Sequence, residues 1–244
     1  MLNSENLTIT VLYDNAVYDK RMTSGWGFGC LISDGGDINI LFDTGASGDL
    51  LIRNMGIMGI DPSSIDNIVI SHFHADHVGG LDTFLAQNSN VTVFLPSTLS
   101  SGIFSRIIKT GASAVPVSNG LEIMPDIFTT GELGSRVMEQ SLVISTEKGL
   151  VVITGCAHPG LLSILAEVKC ISEKDIFLVL GGLHFEGKSK ADIERILAFF
   201  RKQNITHSCL CHCSGDVARE MFRIEYGLDY LDCGVGKIIK LKEI

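Results

Sequence analysis

At 244 residues, with 45% hydrophobic and 19% charged side chains and only five prolines, the chain can build a sizeable core and shows no bias toward disordered or fibrous sequence. Twenty-eight acidic against 19 basic residues give a formal charge of −9, with no lysine or arginine run to offset it, which argues against nucleic acid or an anionic membrane as partner. No apolar run approaches the roughly 18 residues of a membrane span. The opening MLNSENLTITVLYDN lacks the basic-then-apolar layout of a secretion signal, and seven cysteines are an odd number for a disulfide framework, so a cytoplasmic chain with reduced thiols is expected.

In chain order, apolar and β-branched runs bounded by Gly, Asp, Asn or Ser predict strands at 7–13, 28–33, 38–43, 67–71, 91–95, 141–146, 150–154, 176–182, 206–211 and 235–241. Apolar residues returning every three or four positions predict helices over 48–59, 77–88, 97–109, 159–171, 190–203 and 216–227. SDGGD at 33–37 and TEKG at 146–149 read as hairpin turns. Hairpins mixed with strand–helix alternation imply an α/β (α+β) chain of mixed sheets with helices on their outer faces. In the absence of a Gly/Ser/Pro linker, a low-complexity tract or a repeat, residues 1–244 read as a single domain.

The histidines share one grammar on this map. NIVISHFHADH runs a strand into His72, His74 and His77; VVITGCAHPG ends on His158, with Pro159 placed where a first helical position tolerates it; FLVLGGLHF ends on His184; HSCLCHCSGD carries His212 before a helix start at 214–216. Six of the seven histidines thus stand just past the carboxyl end of an apolar strand, the edge of α/β sheets where ligands bind. Chance composition gives the H-x-H-x-D-H pattern of 72–77 in roughly 4 of 10,000 such chains.

Spacing adds meaning to that cluster. His72 and His74, two apart in extended chain, point to one side and can grip one ion, whereas Asp76 and His77 follow where the chain turns toward a helix and can serve a second. Imidazole and carboxylate donors suit Zn²⁺ first, with Fe²⁺ or Mn²⁺ also accommodated. His207, at the start of its strand, reads as an ordinary core histidine. Cys209, Cys211 and Cys213 alternate with His212 and read as packed thiols facing away from it, while Cys156, two residues before His158, is the one cysteine placed to approach the ions. TSGWGFG at 23–29 carries the only tryptophan and reads either as a lid or as a core-edge aromatic; EQS at 139–141 reads as a source of polar substrate contacts. Asp43 in LFDTG is either a turn residue or a carboxylate that orients a ligand.

These residues resemble the metallo-β-lactamase superfamily, whose signature is H-x-H-x-D-H after a strand, over about residues 7–241 and including FDTG at 42–45. TGCAHPG at 154–160, LGGLHF at 180–185 and CHCSG at 211–215 are similar to the branch labelled dihydropterin-aminobenzene ribofuranosyl phosphate synthases or metal-dependent hydrolases. The resemblance implies an αββα sandwich of two mixed sheets flanked by helices, and two divalent metal ions. It places His72, His74 and His158 at the first ion and Asp76, His77 and His212 at the second, and favours an orienting role for Asp43. Where the family supplies a late-strand bridging carboxylate or thiolate, this stretch offers His184 and no aspartate, which leaves open a bridging water alone, weaker occupancy of the second site, or His184 as a ligand. Free of metal, His184 is the candidate acid that protonates a leaving group, with Asp76 also positioning the nucleophile. The implied activity is hydrolysis of a small ester, phosphoester, thioester or lactam by water whose pKa the ions lower from 15.7 to about 7. The alternatives are a synthase-type transfer of the branch kind, or a non-catalytic metal-dependent binder.

Overall fold

The structure, a computed structural model, describes residues 2–244. The chain divides into two compact units, each built round one sheet. The first holds residues 4–119 and 234–244, and the second residues 2–3 and 120–233.

The first unit carries β1 (Thr8–Tyr13), β2 (Gly29–Ser33), β3 (Asn39–Phe42), α1 (Gly48–Ile57), β4 (Asn67–Val69), α2 (Ala75–Val78), α3 (Leu81–Gln87), β5 (Thr92–Pro96), α4 (Ser101–Lys109) and β6 (Ser113–Val117). The second carries β7 (Asn119–Met124), β8 (Ile127–Gly131), β9 (Leu142–Thr146), β10 (Gly149–Thr154), α5 (Leu161–Ile171), β11 (Ile176–Gly181), α6 (Lys190–Lys202), β12 (His207–Leu210) and α7 (Asp216–Tyr226), before β13 (Ile238–Lys240) returns to the first sheet. The seven-stranded sheet runs β13-β1-β2-β3-β4-β5-β6 and the six-stranded sheet β12-β11-β10-β9-β8-β7. Both sheets are mixed: β3 to β6 are parallel beside an antiparallel β1-β2-β3 meander, and β10 to β12 are parallel beside an antiparallel β8-β9-β10 meander. Two mixed sheets with flanking helices are the α/β arrangement the sequence implied.

Both expected hairpins form, at β2–β3 and β9–β10. Every residue of β10 and β11 is buried, which is why those runs read as unbroken apolar stretches with no alternation. In the first unit Leu51 and Met55 of α1, Leu81, Phe84 and Leu85 of α3 and Ile107 of α4 close over Ile68, Val93 and Leu95 of the sheet. Ile164, Leu165 and Val168 of α5, Ile193, Leu197 and Phe200 of α6 and Phe222 of α7 do the same over Val152 and Val179 in the second. Each such fully buried side chain contributes about 1.5–3 kcal/mol.

Three strands were not legible from sequence, namely β6, β7 and β8. β6 lies at the edge of its sheet and contains Pro116, which an edge strand tolerates because one side of its backbone has no partner to serve. β7 is the other sheet's edge, and its first four residues are exposed. The single helix expected over 77–88 is two, α2 and α3, broken at Gly79 and Gly80. A Cβ at Gly80 would lie 2.3 Å from the Thr44 carbonyl oxygen, so the break is set by the close approach of the LFDTG loop. α4 begins at Ser101, four residues later than the spacing suggested. Pro159 precedes α5 by two residues, with Gly160 at φ 88° forming the cap.

Substitution Gly80→Ala is expected to destabilise the fold by about 1–3 kcal/mol, the usual cost of overpacking against backbone. Gly56→Ala, at an exposed position on α1 with nothing within 4 Å of the added methyl, is expected to gain up to about 1 kcal/mol. Urea denaturation of both variants checks the pair.

Candidate metal centre

The sequence-selected residues fall into two groups, one in each unit. In the first unit β3 and β4 run parallel, so the segments after them leave the sheet at one edge. Asp43, directly after β3, is fully buried and holds φ 58°, a left-handed conformation that costs a non-glycine residue on the order of 1–3 kcal/mol. Its carboxylate is saturated by specific donors: the Ser71 backbone N–H to Oδ1 and the Ser71 hydroxyl to Oδ2, each at 2.7 Å, and His77 Nδ1 at 2.7 Å from Oδ2. A carboxylate there fixes the His77 proton on Nδ1 and leaves Nε2 as a lone-pair donor. Ser71 transmits the same order to its neighbour. Having given its hydrogen to Asp43, its oxygen accepts from His72 Nδ1 at 2.9 Å, so that the proton of His72 also sits on Nδ1 and its Nε2 is an acceptor.

That His72 Nε2 lies 3.0 Å from Nδ1 of His74, and the His72 and His77 ring centroids are 4.2 Å apart. A tetrahedral zinc ion with bonds of about 2.0–2.1 Å spaces two nitrogens about 3.3 Å apart, so the His72–His74 pair is already near ligand spacing. Asp76 stands in the first turn of α2, with Oδ2 3.8 Å from His77 Nε2. It accepts a hydrogen bond from the indole of Trp26 at 3.0 Å. Trp26 is 56% exposed, so it is no core-edge aromatic; it is a rim residue tied to a candidate ligand. The FDTG loop secures α2 from below: the Thr44 N–H and hydroxyl both donate to the His77 carbonyl, at 2.7 and 2.9 Å. Asp43 is thus the orienting carboxylate and not a plain turn residue.

In the second unit β10, β11 and β12 are consecutive parallel neighbours, so the loops carrying His158, His184 and His212 leave one edge side by side. Ala157, His184 and His212 hold φ of 57°, 52° and 47°, one left-handed non-glycine residue in each loop. The first loop is shaped by Glu139, a buried residue for which sequence suggested a substrate contact. The structure corrects that reading: Oε1 accepts from the backbone N–H groups of Cys156 and Ala157 at 2.9 and 2.8 Å, and Oε2 from that of His158 at 2.8 Å. Gln140 is likewise internal, accepting from the Thr129 hydroxyl at 2.6 Å. The His158 and His184 rings stack obliquely with centroids 4.6 Å apart.

Cys213 also departs from expectation. β12 ends at Leu210 and a tight turn follows over His212–Ser214, which breaks the strand alternation that would have turned this thiol away. Its sulfur lies 3.2 Å from Cys156 Sγ. Hydrogen bonding from Cys156, aided by His184 and opposed by burial, pulls the Cys213 thiol down to about 4, and the Cys213 partner in turn raises His184 above the ordinary histidine range. Cys209 and Cys211 are buried, in keeping with packed thiols, and His207 lies edge-on to Phe177 with centroids 4.8 Å apart.

Two hollows flank the His158–His184 pair within this unit. One, of about 380 Å³, has an apolar wall of Leu161, Leu183, Phe185 and Ile196 and carries Lys188 and Arg195; the other, of about 320 Å³, carries Arg136. All three cations are exposed; Lys188 and Arg195 stand seven residues apart, and the fold brings the distant Arg136 to the same pair of histidines. Asp192 also lines the larger hollow and pairs with Arg195 at 3.1 Å, so the net positive charge of the two linings comes from Lys188 and Arg136.

The metallo-beta-lactamase superfamily profile matches residues 30–101. The 7,8-dihydropterin-6-methyl-4-(beta-D-ribofuranosyl)-aminobenzene-5'-phosphate synthase of Methanocaldococcus jannaschii is 30% identical, the alignment covering 97% of this chain and 97% of that protein. Among solved structures, Tm1679, described as a metal-dependent hydrolase of the beta-lactamase superfamily, superposes with a TM-score of 0.81 at 29% identity over 96% of this chain and 98% of its own. Human tRNase Z, short form, shares the fold at a TM-score of 0.63 and 16% identity, covering 96% and 99% of the two chains. A signature segment, a full-length relative at this identity and a shared fold agree, and the chain belongs to the metallo-β-lactamase superfamily.

Proposed function

We propose that this protein is a metal-dependent hydrolase of small anionic molecules, with His72, His74 and His158 holding one divalent ion and Asp76, His77 and His212 a second, zinc being the ion these donors suit best. The observation that carries this reading is the Asp43–Ser71–His72 and Asp43–His77 hydrogen-bond relay, which strips Nε2 of both imidazoles of its proton. Burying a carboxylate for that purpose makes sense where the nitrogens serve a cation. When bound, such ions supply a Lewis acid and a nucleophile available at neutral pH.

The chain's own groups account for the rest. Trp26 holds the Asp76 carboxylate at a fixed angle, and Glu139 fixes the backbone that presents His158. The apolar wall of the larger hollow takes a flat or hydrocarbon portion of the substrate, and Lys188 and Arg195 attract its anionic group. Of the ester, phosphoester, thioester and lactam classes, a phosphoester with an aromatic portion fits this lining best. The same lining supports a second reading, a synthase-type transfer, because the full-length relative's name contains both flat rings and a phosphate.

Turnover separates these readings. Zinc-loaded protein is expected to hydrolyse aryl phosphodiester, thioester or lactam probes, with activity lost in His72→Ala and His74→Ala; silence across the panel sinks the hydrolase. A product joining a dihydropterin to a ribosyl-aminobenzene phosphate, identified by mass spectrometry, would establish the synthase in its place. Removing a carboxylate that orients metal-bound histidines typically costs 10–100-fold in affinity, so Asp43→Asn is expected to weaken zinc binding by about that factor in chelator competition. Lys188→Ala and Arg195→Ala are expected to raise KM several-fold for phosphorylated probes, with kcat little changed, whereas uncharged probes should show no such rise.

A further inference from the structure

Beyond the six histidine and aspartate ligands, we infer that Cys156, Cys213 and His184 form a thiolate-bearing ligand set for a thiophilic divalent cation. The set lies wholly within the second unit and is supplied by the loops after three consecutive parallel strands, β10, β11 and β12. One donor atom from each residue lies within 4.8 Å of the other two.

The spacing suits a tetrahedral ion. Bonds of about 2.3 Å to sulfur and about 2.0 Å to nitrogen put two sulfurs about 3.8 Å apart and sulfur and nitrogen about 3.5 Å apart. The two sulfurs stand at 3.2 Å, and a shift of about half an ångström brings them to ligand spacing. Both cysteines are buried, while the His184 side remains open to solvent, giving an ion a way in.

The backbone is arranged for this approach. A Cβ at Gly182 would lie 2.7 Å from Cys213 Sγ and 2.3 Å from the Gly155 carbonyl oxygen, so only glycine lets the second and third loops close on the first. His184 holds a left-handed φ of 52°, a strain of the kind that persists at ligand-binding positions. Packed, inert thiols need neither the glycine clearance nor an imidazole aimed at them. Coordination would displace to solvent whatever protons the two sulfurs and the imidazole still hold, leaving two thiolates and a neutral imidazole on the cation. Such donors select Zn²⁺ or Co²⁺ over Mn²⁺ or Mg²⁺, which narrows the metal preference of a centre whose other ligands are only nitrogen and oxygen. In this assignment His184 binds metal and is no proton donor.

Cobalt titration of the metal-free protein tests it. The expected result is a near-ultraviolet sulfur-to-cobalt charge-transfer band that falls by about half in Cys156→Ser and in Cys213→Ser, vanishes in the double variant, and persists in Cys170→Ser, which alters an exposed thiol. X-ray absorption at the zinc edge of the unmutated protein gives a second readout that no folding defect can confuse, with sulfur scatterers expected at about 2.3 Å. Cobalt bound with visible ligand-field absorption but no charge-transfer band, or a zinc edge showing only nitrogen and oxygen, overturns the thiolate set and leaves the histidine centre standing. No cobalt uptake at all overturns both.

Discussion

The buried carboxylate of Asp43 is the constraint on which the histidine cluster of the first unit depends. A carboxylate with no solvent exposure must be fully hydrogen-bonded or it is expelled at a cost of several kcal/mol. Here its partners are Ser71 and His77, and each bond serves a second purpose. The Ser71 bonds fix the exit of the chain from β4, and the His77 bond fixes the rotation of α2. Imidazole tautomers follow from the same contacts, so a single side chain sets both where the nitrogens are and which of them carry protons. The left-handed backbone of Asp43 is tolerated because these bonds over-determine its position.

The second unit solves the matching problem with a different carboxylate. Glu139 reaches across from the segment before β9 and collects three successive backbone N–H groups of the Cys156–His158 loop. Those groups lie past the end of β10, where no neighbouring strand remains to accept from them, and a buried loop with unsatisfied amides would be costly. The side chain therefore acts as a substitute for a strand partner and holds His158 at a defined height above the sheet edge. His184 and His212 depend instead on left-handed backbone and on glycine clearance, because their strands end in tight turns.

Charge is organised on a scale that bulk composition hides. A net −9 speaks against polyanionic partners, yet Arg136, Lys188 and Arg195 converge on the hollows beside His158 and His184. Among the described residues no helix is long and apolar enough to cross a membrane.

The sequence by itself determined the β-rich core strands, both hairpins, most helices and the position of six histidines just past strand ends, because apolar periodicity and turn chemistry are local signals. It also carried the superfamily signature at 72–77. Edge strands β6 and β7 escaped because, partnered on one side and partly solvated, they lack the alternation that burial imposes. The choice between turn residue and orienting carboxylate for Asp43 needed the tertiary structure, since it turns on Ser71 and His77, 28 and 34 residues away. Glu139 was singled out in sequence as a substrate contact, but its true partners, the amides of residues 156–158, lie 17 to 19 residues away and only the fold brings them to it. The direction of Cys213 was not legible either, because β12 stops at Leu210 and strand alternation does not extend to it. Local chemistry can nominate a ligand; only long-range hydrogen bonds and backbone approach decide which way it faces.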